Sequence, residues 1–250
     1  MRWWMTFPMT VVDTVFKALA PAIPERVIAG HHAELVVCMC HGINPRTKEF
    51  FLTSFGPQGG GWGAKLTEDG VSGTVCINDG DTHNSPNEQT EVKAPVLVER
   101  YSLIDDSGGA GKYRGGLGVD RVVRARVPMT FNTQIDRVHC KPWGLQEGRE
   151  AMGNGVALEL DGKWKDDFGN AKVLVAHLRE GEAFSLRAGG GGGFGDPFER
   201  PAERVAEDVR QEYVSVEKAR ELYGVVVDPR TFRVDENATV RLRANRHGRA

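Results

Sequence analysis

The spacing of apolar positions changes twice along the chain. Near the start, Val11, Val15 and Leu19 recur at i, i+4 and i+8 with Val12 and Phe16 beside them, the pattern of a helix face. This predicts a helix from about Thr10 to Ala20, capped by Thr10 with Asp13 and stopped by Pro21 and Pro24. The pattern then tightens to alternating or short apolar runs, so 33–42, 47–56, 70–79, 93–105, 117–131, 155–164 and 171–188 each read as strand. Asn44-Pro45-Arg46-Thr47 reads as a hairpin loop, Asp161-Gly162 as a tight hairpin turn and Asn84-Ser85-Pro86 as a turn. Helical spacing returns after residue 198. Pro201 suits a first helical position, and Val205, Val209 and Tyr213 form a stripe. Ser215 caps a second short helix carrying Val216, Ala219, Leu222 and Tyr223, which Gly224 ends. The stretch 239–250, with four arginines and no acid, reads as a disordered terminus.

The fold class that follows is α+β: a β-rich body with glycine-rich loops, one leading helix and a C-terminal helical hairpin. The expected divisions are a body over 1–198, a hairpin over 199–227 and a partly disordered tail over 228–250. Without alternating βαβ units, a doubly wound sheet is not expected.

Composition changes this picture in one respect. Glycine makes up 31 of 250 residues, well above the roughly 7 % of average usage. The net charge of -2 gives no case for nucleic-acid or membrane-surface binding through overall charge. No run approaches the ~20 apolar residues of a membrane span, and the first residues lack the form of a signal peptide. The four cysteines show no zinc spacing, and Cys38 and Cys40 fall on one face of a strand. Buried free thiols in a reducing cytoplasm are the expectation.

The glycines do not read as nucleotide loops. Neither "GPQGGGWGAK" nor "AGGGGGFGDP" ends in the Lys-Ser/Thr of a phosphate loop, and Gly108-Gly109-Ala110-Gly111-Lys112-Tyr113 lacks the hydroxyl. Gly111 to Gly118 precedes a strand where a dinucleotide fingerprint would open a helix. In "DDSGGAGKYRGGLGVDR", Asp105, Asp106 and Ser107 enter the glycines, while Lys112, Arg114 and Arg121 leave them. Arg114 could offer its fork to a carboxylate or phosphate, or pin a turn by pairing with Asp105 or Asp106. His83 in "DGDTHNSPNEQTE" has Asp79, Asp81, Glu88 and Glu91 for neighbours, a set suited to acid–base work or metal binding. His31-His32, near Glu34 alone, reads as a surface or packing pair.

Four stretches together resemble the hydantoinase B/5-oxoprolinase family: "NSPNEQTE", "DDSGGAGKYRGGLGVDR", "KPWGLQEGREA" and "AGGGGGFGDPFERPAERVAEDVRQEYVSVEKARELYGVVV". The leading helix and "DGVSGT" fit as well. The resemblance implies a B-type subunit acting on a small-molecule substrate beside an A-type subunit that binds ATP with Mg and activates a lactam or imide by phosphorylation. It also implies an N-terminal B-type half carrying a divalent metal, after which this sequence is expected to begin, with Trp3-Trp4 packing against it. No metal ligand and no cofactor of its own are assigned to this chain. The resemblance extends to biotin-independent acetone and acetophenone carboxylases, and a non-catalytic scaffold or remnant stays open. On this reading the candidate catalytic residues are His83, Asp106 and Arg114, with Ser107, Gly115, Gly116, Gly191 and Gly192 shaping a substrate cavity.

Overall fold

The computed structural model describes residues 6–75 and 85–247. Helix α1 spans Thr6–Leu19, beginning earlier than its apolar spacing predicts. Met9 and Asp13 are buried and Val12 and Phe16 half-buried, whereas Val11, Val15 and Leu19, the expected core stripe, lie exposed. Asp13 therefore sits inside the helix on its buried side and is not part of a cap.

Among the described residues nine strands follow, in two antiparallel sheets. The first sheet has the order β2-β1-β5-β8, from β1 (Val37–Ile43), β2 (Phe50–Phe55), β5 (Met129–Gln134) and β8 (Lys172–Leu178). The second has the order β3-β4-β9-β6-β7, from β3 (Val96–Leu103), β4 (Val119–Ala125), β6 (Gly155–Leu160), β7 (Lys163–Lys165) and β9 (Ala183–Ala188). Their facing sides enclose one core in which Phe184 meets Phe55 and Phe131 at ring-centroid distances of 5.4 and 4.7 Å. Cys38 and Cys40 lie buried in this core as expected, while Cys140 is exposed.

Two predicted strands are each two. The stretch 117–131 breaks between β4 and β5, where Pro128 cannot donate to a ladder, and its halves join opposite sheets. The stretch 171–188 divides likewise at Gly181, whose φ is +89°. Of the predicted strand 70–79, the described part makes one bridge, Thr74 to Gly60. A short helix, α2 (Asn87–Lys93), follows the expected turn.

The glycine runs are not surface loops. Residues 188–194 are buried throughout, and their bonding repeats every three residues, the period of a polyproline II segment. Gly189 and Gly192 face the 30–64 region, bonding Gly61, Gly30 and Ala64. Gly190 and Gly193 bond Met152, Arg149 and Leu145, and Gly191 and Phe194 bond Gly116, Gly109 and Tyr113. Main chain thus covers all three sides. A Cβ on Gly191 would lie 1.8 Å from the Trp62 carbonyl oxygen, and one on Gly192 would lie 1.9 Å from that of Trp143. Only glycine lets backbones approach this closely, which accounts for the composition.

The C-terminal part contains α3 (Ala202–Arg210), α4 (Val216–Tyr223) and α5 (Glu236–His247). Ser215 caps α4 by accepting from the Lys218 N–H at 3.1 Å, and Gly224 closes it at φ +62°. The expected disordered tail is instead largely α5. Asp235 accepts from the Ala238 N–H, Thr239 accepts from the Val226 N–H, and Arg243 donates to the carbonyls of Arg200 and Tyr223. Polar contacts rather than an apolar stripe hold this helix.

Candidate functional site: a buried histidine pair beside the glycine core

Most of the residues expected to do chemistry are occupied in building the fold. Asp106 adopts φ +58° and accepts from the Ser215 N–H at 2.8 Å, fixing the connection between α3 and α4. A cleft of about 560 Å³ opens beside it, lined in part by Asp105, Glu212, Tyr213 and Phe232. Ser107 is buried, donating to the Ile104 carbonyl and accepting from the Gly118 N–H. Arg114 is buried as well. Its Nε lies 3.5 Å from Asp208, it donates to the Gly115 carbonyl, and it stacks on Tyr213 at 5.1 Å. It therefore pairs with neither Asp105 nor Asp106, nor does it present a fork to solvent. Gly115, Gly116, Gly191 and Gly192 are buried, and each donates its N–H to another main-chain carbonyl, so these amides are taken up within the protein. His83 lies outside the described residues.

The polar group that the fold does assemble is one that sequence reading set aside. His31 and His32 have no solvent exposure, and neither does Glu34. They lie on the extended segment between α1 and β1, bonded to the glycine lattice through His32 N–H to the Gly61 carbonyl. Asp13 reaches in from α1. Its carboxylate accepts from the His31 backbone N–H at 3.3 Å, from Trp143 Nε1 at 3.0 Å and from Arg137. Asn154 donates to the carbonyls of His32 and Asp136 and accepts from the Gly189 N–H, tying the pair to the glycine run.

Hydrogen bonding assigns the two tautomers. His31 Nδ1 accepts from the Ala33 N–H at 2.9 Å, so the neutral ring carries its proton on Nε2, which has no partner among the described residues. His32 Nε2 lies 3.2 Å from the Thr74 carbonyl, which can only accept, so its Nδ1 is a bare acceptor, also without a partner among them. Burial lowers the His31 pKa to about 4 against the attraction of Asp13, and lowers that of His32 to about 3, aided by His31. Burial raises Glu34 to about 7, although the Asp136 N–H bonds its carboxylate. The pair is thus uncharged at neutral pH and, among the described residues, leaves one N–H and one lone pair without a partner, suited to an uncharged polar group or a proton relay.

This cluster does not fit a metal. Asp13 is already committed to Arg137 and Trp143, and among the described residues no three His, Cys, Asp or Glu side chains converge as ligands. A nucleotide phosphate does not fit the glycines, whose amides bond within the protein. The site also anchors the approach to the 76–84 stretch: His32 holds the Thr74 carbonyl, and Trp62 Nε1 holds that of Val75 at 2.6 Å. The sequence displayed His31-His32, but not its setting, because Asp13, Arg137 and Trp143 come from distant positions.

Residues 3–197 match the Hydantoinase B/oxoprolinase family. The chain is 34% identical over 244 residues to the caprolactamase subunit beta of Pseudomonas jessenii, covering 94% of this chain and 41% of that protein. It superimposes on the crystal structure of the ATP-dependent caprolactamase from Pseudomonas jessenii with a TM-score of 0.78 and 30% identity, over 91% of this chain and 40% of that one. A nucleotide-free acetone carboxylase shares the fold with a TM-score of 0.77 and 24% identity, over 93% and 36% of the two chains. The chain thus spans about two-fifths of the length of these relatives.

Proposed function

This chain belongs to the hydantoinase B/oxoprolinase family, and on that premise we propose that it is the C-terminal half of a B-type subunit in an ATP-dependent cyclic-amide hydrolase. The complex opens a lactam or imide ring together with an ATP-binding A-type partner. The observation that carries this reading is the fold shared with the ATP-dependent caprolactamase across 91% of the chain. ATP with Mg belongs to the partner, and a divalent metal to the part of the B-type subunit that this chain does not match. His83 is the acid–base candidate of this chain. His32 acts as a positioning group by holding the Thr74 carbonyl, and Trp62 does the same for that of Val75, the last described residues before the stretch that contains His83 in sequence.

The second reading, a ketone carboxylase, rests on the nearly equal fold likeness to acetone carboxylase. The higher identity to the caprolactamase favours ring opening. Reconstitution with an A-type subunit and the remaining B-type part tests both readings. Lactam- or imide-dependent ATP consumption is expected, with release of the amino acid from a lactam or the amide-acid from an imide. ATP use that requires a ketone and bicarbonate would replace the proposal with the carboxylase. An assembled complex that turns over neither substrate would leave a scaffold.

A further inference from the structure

The outward face of the first sheet is built to be covered. In β1, Val37, Met39, His41 and Ile43 point away from the core that Cys38 and Cys40 enter, so the strand carries apolar residues on both faces. Strands of that kind belong to sheets packed on both sides. Register extends the surface. Ile43 lies opposite Phe50, His41 lies between Leu52 and Thr130, and Thr130 is opposite His177. Phe50 is 66% exposed, Ile43 64%, Leu52 57% and Val175 63%, with Leu174 at the bulge 81% exposed. Charged pairs border it, Arg46 with Glu180 and Lys172 with Asp136.

One end of this face is already covered. Met9 of α1 packs with Ala33 and Leu35 against Val37. From Val37 toward Ile43 the cover ends and the apolar surface continues. The exposed apolar residues form one patch on β1 and β2 and another on β8, with the polar Thr130 and Asn132 of β5 between them, and exposed apolar patches rimmed by polar residues are characteristic of an interface.

We propose that this face docks the part of a B-type subunit that the present residues do not match, as a layer continuing from α1 across β1, β2 and β8. Two observations select that occupant. About three-fifths of each relative's own length lies outside the matched part, and the face continues a layer that α1 has begun. The proposal rests on family membership and not on ring-opening chemistry, so loss of activity in an assembled complex would leave it standing.

Cross-linking mass spectrometry on the protein purified from its native host tests the docking. Lys48 and Lys172, at the border of the face, are expected to cross-link to peptides matching the remaining part of B-type subunits, on the same chain or a separate one. Phe50→Asp with Val175→Asp changes two exposed side chains. This variant is expected to keep the wild-type unfolding midpoint while the cross-links, or recovery of a separate partner, fall roughly tenfold or more. Cross-links confined to a second copy, with a dimer that the double variant dissociates, would overturn the proposal in favour of self-association. Unchanged cross-linking in a folded double variant would overturn it as well.

Discussion

Arg200 grips Asp69 with a two-bond fork, Nη1 to Oδ1 at 2.7 Å and Nη2 to Oδ2 at 2.8 Å, across 131 positions of sequence. Its Nε donates to Asp208 at 3.0 Å, and Arg114 approaches the same aspartate from the other side. Arg200 is 2% exposed. Burial pushes Asp69 upward, but Arg200 outweighs it and the carboxyl stays below its ordinary value; Asp208 is pushed up by burial. This pairing locks the C-terminal helices onto the glycine-rich body.

Arg200→Met should therefore leave the buried Asp208 and the half-buried Asp69 without their main partner. The expected loss is ~3–5 kcal/mol of stability, measured by chemical denaturation. Limited proteolysis should become selective for the C-terminal helices. A loss below about 1 kcal/mol would show that apolar packing alone holds them.

Arg114→Ala separates a structural role from a substrate role. Loss of the contacts with Asp208 and Tyr213 should lower the unfolding midpoint. In a reconstituted complex kept cold enough to stay folded, kcat/KM should remain within about twofold of wild type. A selective fall in kcat/KM in a stably folded variant would restore Arg114 to the reacting centre.

The glycine lattice makes a position-specific prediction. Gly191→Ala should abolish soluble expression, since its Cβ would meet the Trp62 carbonyl at 1.8 Å. Gly155→Ala, where a Cβ meets nothing within 4 Å, should change stability by less than about 1 kcal/mol. Comparable soluble yield and melting behaviour for the two variants would contradict the close-packed backbone.

The buried site predicts an unusual pH dependence. His31 and His32 have folded pKa values depressed to about 4 and 3, so their contribution is present above the ordinary histidine value and lost as pH falls toward those values. Glu34, raised to about 7, acts oppositely: its contribution is present at low pH and lost as pH rises from the ordinary carboxylate range through 7. Around pH 5.5 unfolding should therefore take up a net single proton from these three groups, a slope of ~1.4 kcal/mol per pH unit. Glu34→Gln removes the opposing group and should roughly double their slope. Denaturation curves between pH 6 and pH 5 measure it, and an unchanged slope would argue against a protonated Glu34.

Features governed by neighbouring residues were legible in sequence. Asp161-Gly162 forms its hairpin turn with φ of +52° and +71°, and Ser215 and Gly224 delimit α4 as their chemistry dictates. Relations between distant segments were not. Nothing local reveals that β4 and β5 enter opposite sheets, or that Asp13 of α1 meets Arg137 and Trp143 around His31. Helix α5 escaped notice because its anchors, Thr239 and Arg243, are polar contacts and form no apolar stripe. The glycine runs read in sequence as loops shaping a cavity, because composition does not show whether backbone or solvent surrounds a glycine.

That distinction bears on how such a protein can change over time. Around residues 189–193 the nearest atoms belong to the main chain of Ser107, Ala110, Trp143, Met152 and Trp62, whatever side chains those residues carry. The interior there senses the path of the neighbouring segments and not their chemistry. A substitution on the outward side of one of those segments leaves this close backbone contact unchanged. The five glycines at the centre must stay as they are.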